Sequence, residues 1–473
     1  MSASERRVRR IWAEILDRSA GSIPIDQAFL SLGGTSLKAV QVLSGIEEEE
    51  FGLRLNQDIL IECHTVREMA AYLDRHLKAG IKPLVHRKTT ERSASLAPGA
   101  DTEIAIIGMA CRFPGAESPA QYWDNLLNKV DSIREVPSDR WAMDRYYQPG
   151  NNPSPGKTNS RWGGFIDNPY DFDADFFHVS PEEATGMDPQ QRLFLAVAYE
   201  TMESAGYAGV QSEGRTVGLF VGASHNNYLE HHLHTLGLMD LEEFQSFVSL
   251  PEAQRHALRT EWKGRYGVTE LHPNTAVDNL LNMIAARTSH TLNLKGPSLT
   301  IDTACSSSLV AVHLACESLR RGECEMALAG GVSLLLTPTP YLLFARAGAL
   351  SPSGRCKVFD ADADGFVPGE GVGTVLLKPL RRALEDGDNV SAVIKGSAVN
   401  NDGRSLGVMA PNPDGQRAVI ESLYRKHAIH VRDIQYIEAH GTGTAIGDPS
   451  EVRASRGHSP SLVTATRAAC SDR

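Results

Sequence analysis

Cys305 stands in the run Asp302-Thr303-Ala304-Cys305-Ser306-Ser307-Ser308. An apolar, strand-like stretch, Pro297-Ser298-Leu299-Thr300-Ile301, leads into it, and a helical pattern leaves it. A thiol at a strand-to-helix turn meets unpaired backbone N–H groups and the positive end of a helix dipole, which favour the thiolate, the form that attacks carbonyl carbon. The chemistry on offer is capture of an acyl group as a thioester. The alternative is a structural cysteine, the ordinary role of a lone buried thiol. A second turn, Leu32-Gly33-Gly34-Thr35-Ser36-Leu37, places Ser36 where a helix begins. Ser36 can cap that helix; a phosphate ester on its hydroxyl would meet the same free N–H groups, so the position also suits a phosphorylated prosthetic arm. His440 lies in Ile437-Glu438-Ala439-His440-Gly441-Thr442-Gly443-Thr444. Its imidazole titrates near neutral pH and can exchange protons with a reacting group, or it can be a loop histidine set among glycines.

The elements that would position these groups fall into two blocks. Residues 1 to 80 predict a small bundle of three helices. Val8, Ile11, Trp12, Ile15 and Leu16 form one apolar stripe, and a second helix from Ser36 turns Leu37, Val40, Leu43 and Ile46 inward. The third opens on Thr65-Val66-Arg67-Glu68, a capping box, and continues its buried face through Met69, Leu73 and Leu77. Residues 81–102 mix Lys82, Arg87, Lys88 and Arg92 with Ser, Thr, Pro98 and Gly99, the composition of a solvated basic linker.

From residue 103 apolar strand runs alternate with helical segments: Ile104-Ala105-Ile106-Ile107-Gly108, Val217 to Gly222, Met326 to Gly331, Gly373 to Leu377 and Val390 to Ile394. Buried strands of this kind belong to a layered α/β core. After Cys305, the residues Leu309, Val312, His313, Cys316 and Leu319 recur at spacings of three and four before Gly322, predicting a helix with that stripe buried. A charged, His-bearing insertion lies between Ala223 and Asn274, where Leu241, Phe244 and Phe247 predict a helix of its own.

A chain of 473 residues with 41% hydrophobic content can build sizeable cores, and the absence of a run of about 18 apolar residues argues against a membrane span. The N-terminus enters an amphipathic pattern instead of an apolar signal segment, so a cytoplasmic protein is expected. Seven cysteines without a CxxC pair imply free thiols and no zinc site, and a net charge of -11 argues against a nucleic-acid surface.

Across residues 5 to 78, the Gly-Gly-Thr-Ser turn with Ile46-Glu47 and Phe51-Gly52-Leu53-Arg54-Leu55 behind it resembles carrier domains that bear 4'-phosphopantetheine, acyl or peptidyl. That resemblance implies attachment on Ser36 by a phosphopantetheinyl transferase. The remainder resembles the β-ketoacyl synthases of modular polyketide synthases. The likeness runs through Phe113-Pro114-Gly115, Pro137-Ser138-Asp139-Arg140-Trp141, Met187-Asp188-Pro189-Gln190-Gln191-Arg192, Gly365-Phe366-Val367-Pro368-Gly369-Glu370-Gly371 and the two segments around Cys305 and His440. It implies a thiolase-like fold of two similar α/β halves and a homodimer. It also implies that Cys305 takes the acyl chain as a thioester while its N–H helps hold the oxyanion, and that His440 assists decarboxylation of a malonyl unit. The growing chain would pass from phosphopantetheine on Ser36 to Cys305, and a malonyl-loaded carrier would supply the extender.

Family members carry a second histidine in an Asn-Ile-Gly-His segment preceded by a lysine. This sequence has neither after His440, and Gly457-His458 lacks that context. The expectation is therefore a ketosynthase truncated at its C-terminus, its second half incomplete, with an atypical tail over 453–473. The competing reading is a carrier or docking fragment whose condensing domain is inactive or incompletely folded. Three lookalikes fall away. Asp360-Ala361-Asp362-Ala363-Asp364-Gly365 opens like a calcium loop, but Gly371 stands where the bidentate Glu is needed. His225, His231, His232 and His234 lack carboxylates or cysteines at ligand spacing, and Gly369-Glu370-Gly371-Val372-Gly373 lacks the glycine spacing of a dinucleotide loop.

Overall fold

The computed structural model describes residues 1–34, 42, 46, 63–79, 103–150, 153–212, 215–230, 233–234, 242–243, 245–266, 274–403 and 411–455. The linker, Ser36 with the start of its helix, His231, His232, Leu241, Phe244 and His458 lie outside these residues. The chain divides into two compact units, residues 1–95 with 173–185 and residues 96–172 with 186–473.

In the first unit Ser2 caps helix α1 (Ala3–Ile15), its hydroxyl accepting the Glu5 N–H at 3.0 Å while the Glu5 carboxylate accepts from the Ser2 N–H. Val8, Ile11 and Trp12 are buried along α1, and the Trp12 ring meets Phe29 edge-on at 4.8 Å. Helix α2 (Val66–Ala79) opens as its capping box requires: the Glu68 N–H donates to Thr65 Oγ1 at 3.2 Å, and the Thr65 N–H donates to Glu68 Oε2 at 3.0 Å. Met69 and Leu73 from α2, with Val42 and Ile46, close the core. Ahead of Ser36, Gly33 adopts φ +87°, and a Cβ on Gly34 would fall 2.3 Å from the Phe29 ring, so glycine is the residue this turn admits.

The second unit runs β1 (Ile104–Arg112), α3 (Pro119–Leu127), β2 (Ile133–Glu135), β3 (Trp162–Gly164), α4 (Pro189–Ser204), β4 (Val217–Gly222), α5 (Glu252–Tyr266), α6 (Asn282–Thr291), β5 (Ser298–Ile301), α7 (Ser307–Arg320), β6 (Met326–Ser333), α8 (Thr339–Arg346), β7 (Gly371–Pro379), α9 (Leu380–Asp386), β8 (Ala392–Ile394), α10 (Pro413–Lys426) and α11 (Gly447–Ser455). Six strands form one mixed sheet in the order β5-β4-β6-β7-β1-β8, and β2 pairs with β3 separately. β4 runs parallel to β5 and β6, while β6 with β7, β7 with β1 and β1 with β8 are antiparallel.

Alternation along the strands divides the side chains between two cores. Leu219, Val221, Leu328 and Leu376 pack with Phe194, Val197 and Ala198 of α4 on one face. Phe220, Ala327, Ala329 and Leu377 pack with Ala311, Ala315, Cys316 and Leu319 of α7 on the other. Burial on both faces is why β4 and β6 read in sequence as unbroken apolar runs. The helix after Cys305 is present, and Cys316 and Leu319 of its expected stripe are buried with Val312 packed beside them; Leu309 departs from it, 76% exposed, while the small residues Ala311 and Ala315 complete the sheet-facing side. Near the start of β7, Glu370 is fully enclosed. Its carboxylate takes the Arg140 guanidinium bidentately at 2.9 and 2.8 Å and accepts the Ile166 and Leu335 N–H groups, both at 3.0 Å.

Candidate active site

β5 delivers the chain to Asp302, whose carboxylate organises the turn. Its Oδ1 accepts the Ala304 N–H at 2.9 Å and the Ser224 hydroxyl at 2.7 Å. Ser307 Oγ accepts the Thr303 N–H at 2.9 Å and donates to the Ala304 carbonyl at 2.7 Å. Between these bonds Ala304 is held at φ +54°, a left-handed conformation costly for a residue with a Cβ. Cys305 follows in the single 3-10 turn Ala304–Ser306, with its side chain exposed just ahead of α7. The helix can begin this close to the sheet because two strand positions have no side chain. A Cβ on Gly222 would lie 2.5 Å from Ser308 N, and one on Gly331 would lie 2.1 Å from Ser308 Oγ.

His440 sits in a loop. Gly441 at φ +53° and Gly443 at φ +69° bend that loop, and α11 fastens it. Glu451 of α11 accepts the His440 N–H at 2.6 Å on Oε1 and the Gly441 N–H at 2.9 Å on Oε2. Asp448, 4% exposed, accepts the Gly443 N–H at 3.1 Å and the Phe359 N–H at 2.6 Å, tying the histidine loop to the loop before β7.

These two loops bring Cys305 and His440 close enough to act on each other's titration although the residues are 135 positions apart. The imidazole is the largest influence on the thiol and lowers its pKa below the ordinary 9.0, against the opposing effect of burial. The thiol in turn is the largest influence on His440 and raises its pKa; burial opposes this, and the charges of Glu451 and Asp448 support it. Sequence reasoning assigned the thiolate preference to the helix start. The direction holds, but the imidazole is its main cause. Burial acts oppositely on the helix interior, pushing the Cys316 thiol up to about 11 and raising Cys324 as well. Ser224, Asp448 and Glu451 had no role in the sequence reading: the first lies 81 positions before Cys305, and the other two act through backbone amides that no motif spells out.

The model of the β-ketoacyl synthase N-terminal domain matches residues 101–383, that of the β-ketoacyl synthase C-terminal domain matches residues 391–466, and that of the phosphopantetheine attachment site matches residues 6–73. The second match runs through residues 453–466. It speaks against the expectation of a second half truncated before the atypical tail. The chain is 40% identical over 461 residues to polyketide synthase PksM of Bacillus subtilis, covering 95% of this chain and 10% of the relative. It is 42% identical over 434 residues to a phenolphthiocerol/phthiocerol polyketide synthase of Mycobacterium tuberculosis, covering 91% of this chain and 21% of the relative. The chain thus spans between a tenth and a fifth of the length of these relatives. Among solved structures, the oxazolomycin ketosynthase domain of Streptomyces albus JA3453 superposes with a TM-score of 0.65 at 39% identity, covering 76% of this chain and 57% of that one. The module 6 ketosynthase of the bacillaene synthase from Bacillus subtilis superposes with a TM-score of 0.63 at 39% identity, covering 74% of this chain and 53% of that one.

Proposed function

Given that the chain belongs to the β-ketoacyl synthase family of polyketide synthases and carries a phosphopantetheine attachment domain, we propose that it moves an acyl chain onto Cys305 and extends it by decarboxylative condensation. The observation that carries this reading is the Cys305–His440 pair, a thiol and an imidazole that shift each other's titration beside a turn held at a left-handed Ala304.

In the transfer step the Cys305 thiolate attacks the carbonyl of an acyl thioester. The new C–S bond forms, the old one breaks, and the departing thiolate takes the proton held at His440. In the extension step the malonyl carbon–carboxylate bond breaks, CO2 leaves, and the enolate oxygen is stabilised by the imidazole of His440. The enolate carbon then attacks the acyl carbonyl on Cys305, forming the carbon–carbon bond and expelling the Cys305 thiolate.

Ser36 is the residue that would hold 4'-phosphopantetheine, and the tight Gly33-Gly34 turn just before it in sequence, which admits only glycine against Phe29, fits such an attachment motif. When bound, that group supplies a long arm ending in a thiol for thioester linkage. A phosphopantetheinyl transferase would load it, and other acyl and malonyl carriers would be the partners. The domain boundaries in this reading are 1–80 for the carrier, 81–102 for the linker and 103–473 for the ketosynthase.

The ketosynthase would act as a homodimer. β5 is an edge strand of the sheet; Leu299 on it is 46% exposed, and Leu309 and Leu314 of the neighbouring α7 are exposed as well. An apolar edge of that kind is a liability unless covered. The test is incubation of the full chain with an acyl thioester and a malonyl-loaded carrier. A β-ketoacyl product that disappears in Cys305→Ala and falls steeply in His440→Ala supports the reading, and product formation unaffected by either substitution overturns it.

A further inference from the structure

The carboxylates of α11 take no part in the bond-making steps, yet they accept four hydrogen bonds from backbone N–H groups, three in the His440 loop and one at Phe359. Resting on the reading of Cys305 and His440 given above, we propose that Glu451 and Asp448 are positioning residues that clamp the His440 loop from α11 and, through their negative charge, hold His440 in the state that takes the proton of Cys305.

The geometric part of the argument is that both clamps close on a loop with no strand or helix of its own. Glu451 spans two successive amides, His440 at 2.6 Å and Gly441 at 2.9 Å, and so fixes the peptide that aims the imidazole. Asp448 reaches Gly443 at 3.1 Å and, on its other oxygen, Phe359 at 2.6 Å, where Phe359 is held at φ +58°. Charge-assisted bonds from a carboxylate to backbone N–H groups are among the stronger hydrogen bonds in proteins. The loop is bent at two left-handed glycines, and Gly441 packs against Val358 and Gly443 against the Cys356–Lys357 peptide, so a loose clamp would let the imidazole drift from the thiol.

The electrostatic part rests on what surrounds His440. Cys305 faces it from the turn before α7, and Glu451 and Asp448 from α11. Lys357 and Asp364 of the loop before β7, which the Phe359 bond ties to the His440 loop, pair with each other at 2.6 Å. Arg453 stands in the last turn of α11, but the α11 charges that act on His440 are Glu451 and Asp448, and both stabilise an imidazolium facing a thiolate.

The test is the pH profile of Cys305 alkylation by iodoacetamide in the full chain, followed by peptide mass spectrometry. Glu451→Gln and Asp448→Asn each remove one charge, and each is expected to move the alkylation midpoint upward by roughly half a pH unit, the order for one charge several ångströms away in a half-exposed site. Glu451→Asp, which keeps the charge, is expected to stay near the parent profile. In a His440→Ala background Glu451→Gln is expected to give no upward shift, because the charge acts through the imidazole. Unchanged midpoints in both single variants, or the same upward shift without His440, would overturn the proposal. If Glu451→Gln abolishes the cooperative thermal transition, Asp448→Asn carries the test, since it leaves the His440 and Gly441 amides bonded. Failure of the underlying reading looks different: the parent chain would then alkylate Cys305 no faster than the exposed Cys356.

Discussion

Substituting Gly222 by alanine should separate folding from catalysis at this site. The new Cβ would stand 2.5 Å from Ser308 N and 2.6 Å from Ser307 C, whereas ordinary contact begins near 3.4 Å. Both neighbours are backbone atoms of the first turn of α7, so no rotamer change relieves the overlap, and the start of the helix must retreat by about 1 Å. Overpacking of this size costs about 1–3 kcal/mol, and a reacting group displaced by about 1 Å loses on the order of a hundredfold in rate. Urea denaturation and the rate of Cys305 acylation by an acyl thioester measure the two effects. Gly331→Ala provides the contrast, because its worst contact is the Ser308 hydroxyl, at 2.1 Å, with Ser308 Cβ at 3.1 Å. Adding Ser308→Ala should recover part of the stability lost in Gly331→Ala and none of that lost in Gly222→Ala. Parent-like acylation in a folded Gly222→Ala chain would show that the close approach of helix to sheet does not set the position of Cys305.

Three further outcomes follow from the same structure. At neutral pH iodoacetamide should label Cys305 first, the exposed Cys356 next and Cys316 last. The thiolate fraction of Cys316, pushed up to about 11, is a hundredth or less of that of a thiol at or below 9.0, and the greater nucleophilicity of the more basic sulfur recovers only part of this, leaving at least about a tenfold gap before access is considered. Glu370→Ala should lower unfolding free energy by about 3–5 kcal/mol in chemical denaturation, since it strands the enclosed Arg140 guanidinium without its bidentate partner. Burial raises the Asp188 carboxyl from 3.8 to about 6, so the folded chain keeps a proton that the unfolded chain releases. That contribution is fully present below pH 3.8 and lost as pH rises through about 6. Asp188→Asn should retain the cap on Gln190 and abolish this pH dependence, which amounts to about 3 kcal/mol.

The strands of the main sheet were legible because residues such as Phe220, Leu328 and Leu376 are enclosed on one face or the other, leaving no polar position to break the pattern. Cys305 was legible for a related reason, since the change from an extended run to a helical period marks the turn itself. The capping box at Thr65 and Glu68 is a local exchange of two hydrogen bonds and was readable from spacing alone. What spacing could not reveal is contact across the fold. The imidazole that acts on the Cys305 thiol comes from a loop after α10, and the Arg140–Glu370 pair joins residues 230 positions apart. Leu309 was misplaced because it falls in the first turn of α7, at the edge of the buried side that Ala311, Ala315, Cys316 and Leu319 share, and the small Ala311 and Ala315, absent from the expected stripe, let α7 approach the sheet. The fastening of His440 by Glu451 and Asp448 was hidden for a third reason: its donors are backbone amides, which every sequence contains.

The central claim is that Cys305, with its proton taken by His440, is the residue that accepts the acyl chain. Time-resolved mass spectrometry of the full chain mixed with an acyl thioester at neutral pH tests this most directly. A single acyl adduct mapping to the Cys305 peptide, absent in Cys305→Ala and formed more slowly by at least an order of magnitude in His440→Ala, is the predicted result. An adduct that persists in Cys305→Ala, or one that forms on Cys305 at the same rate without the imidazole, would contradict it.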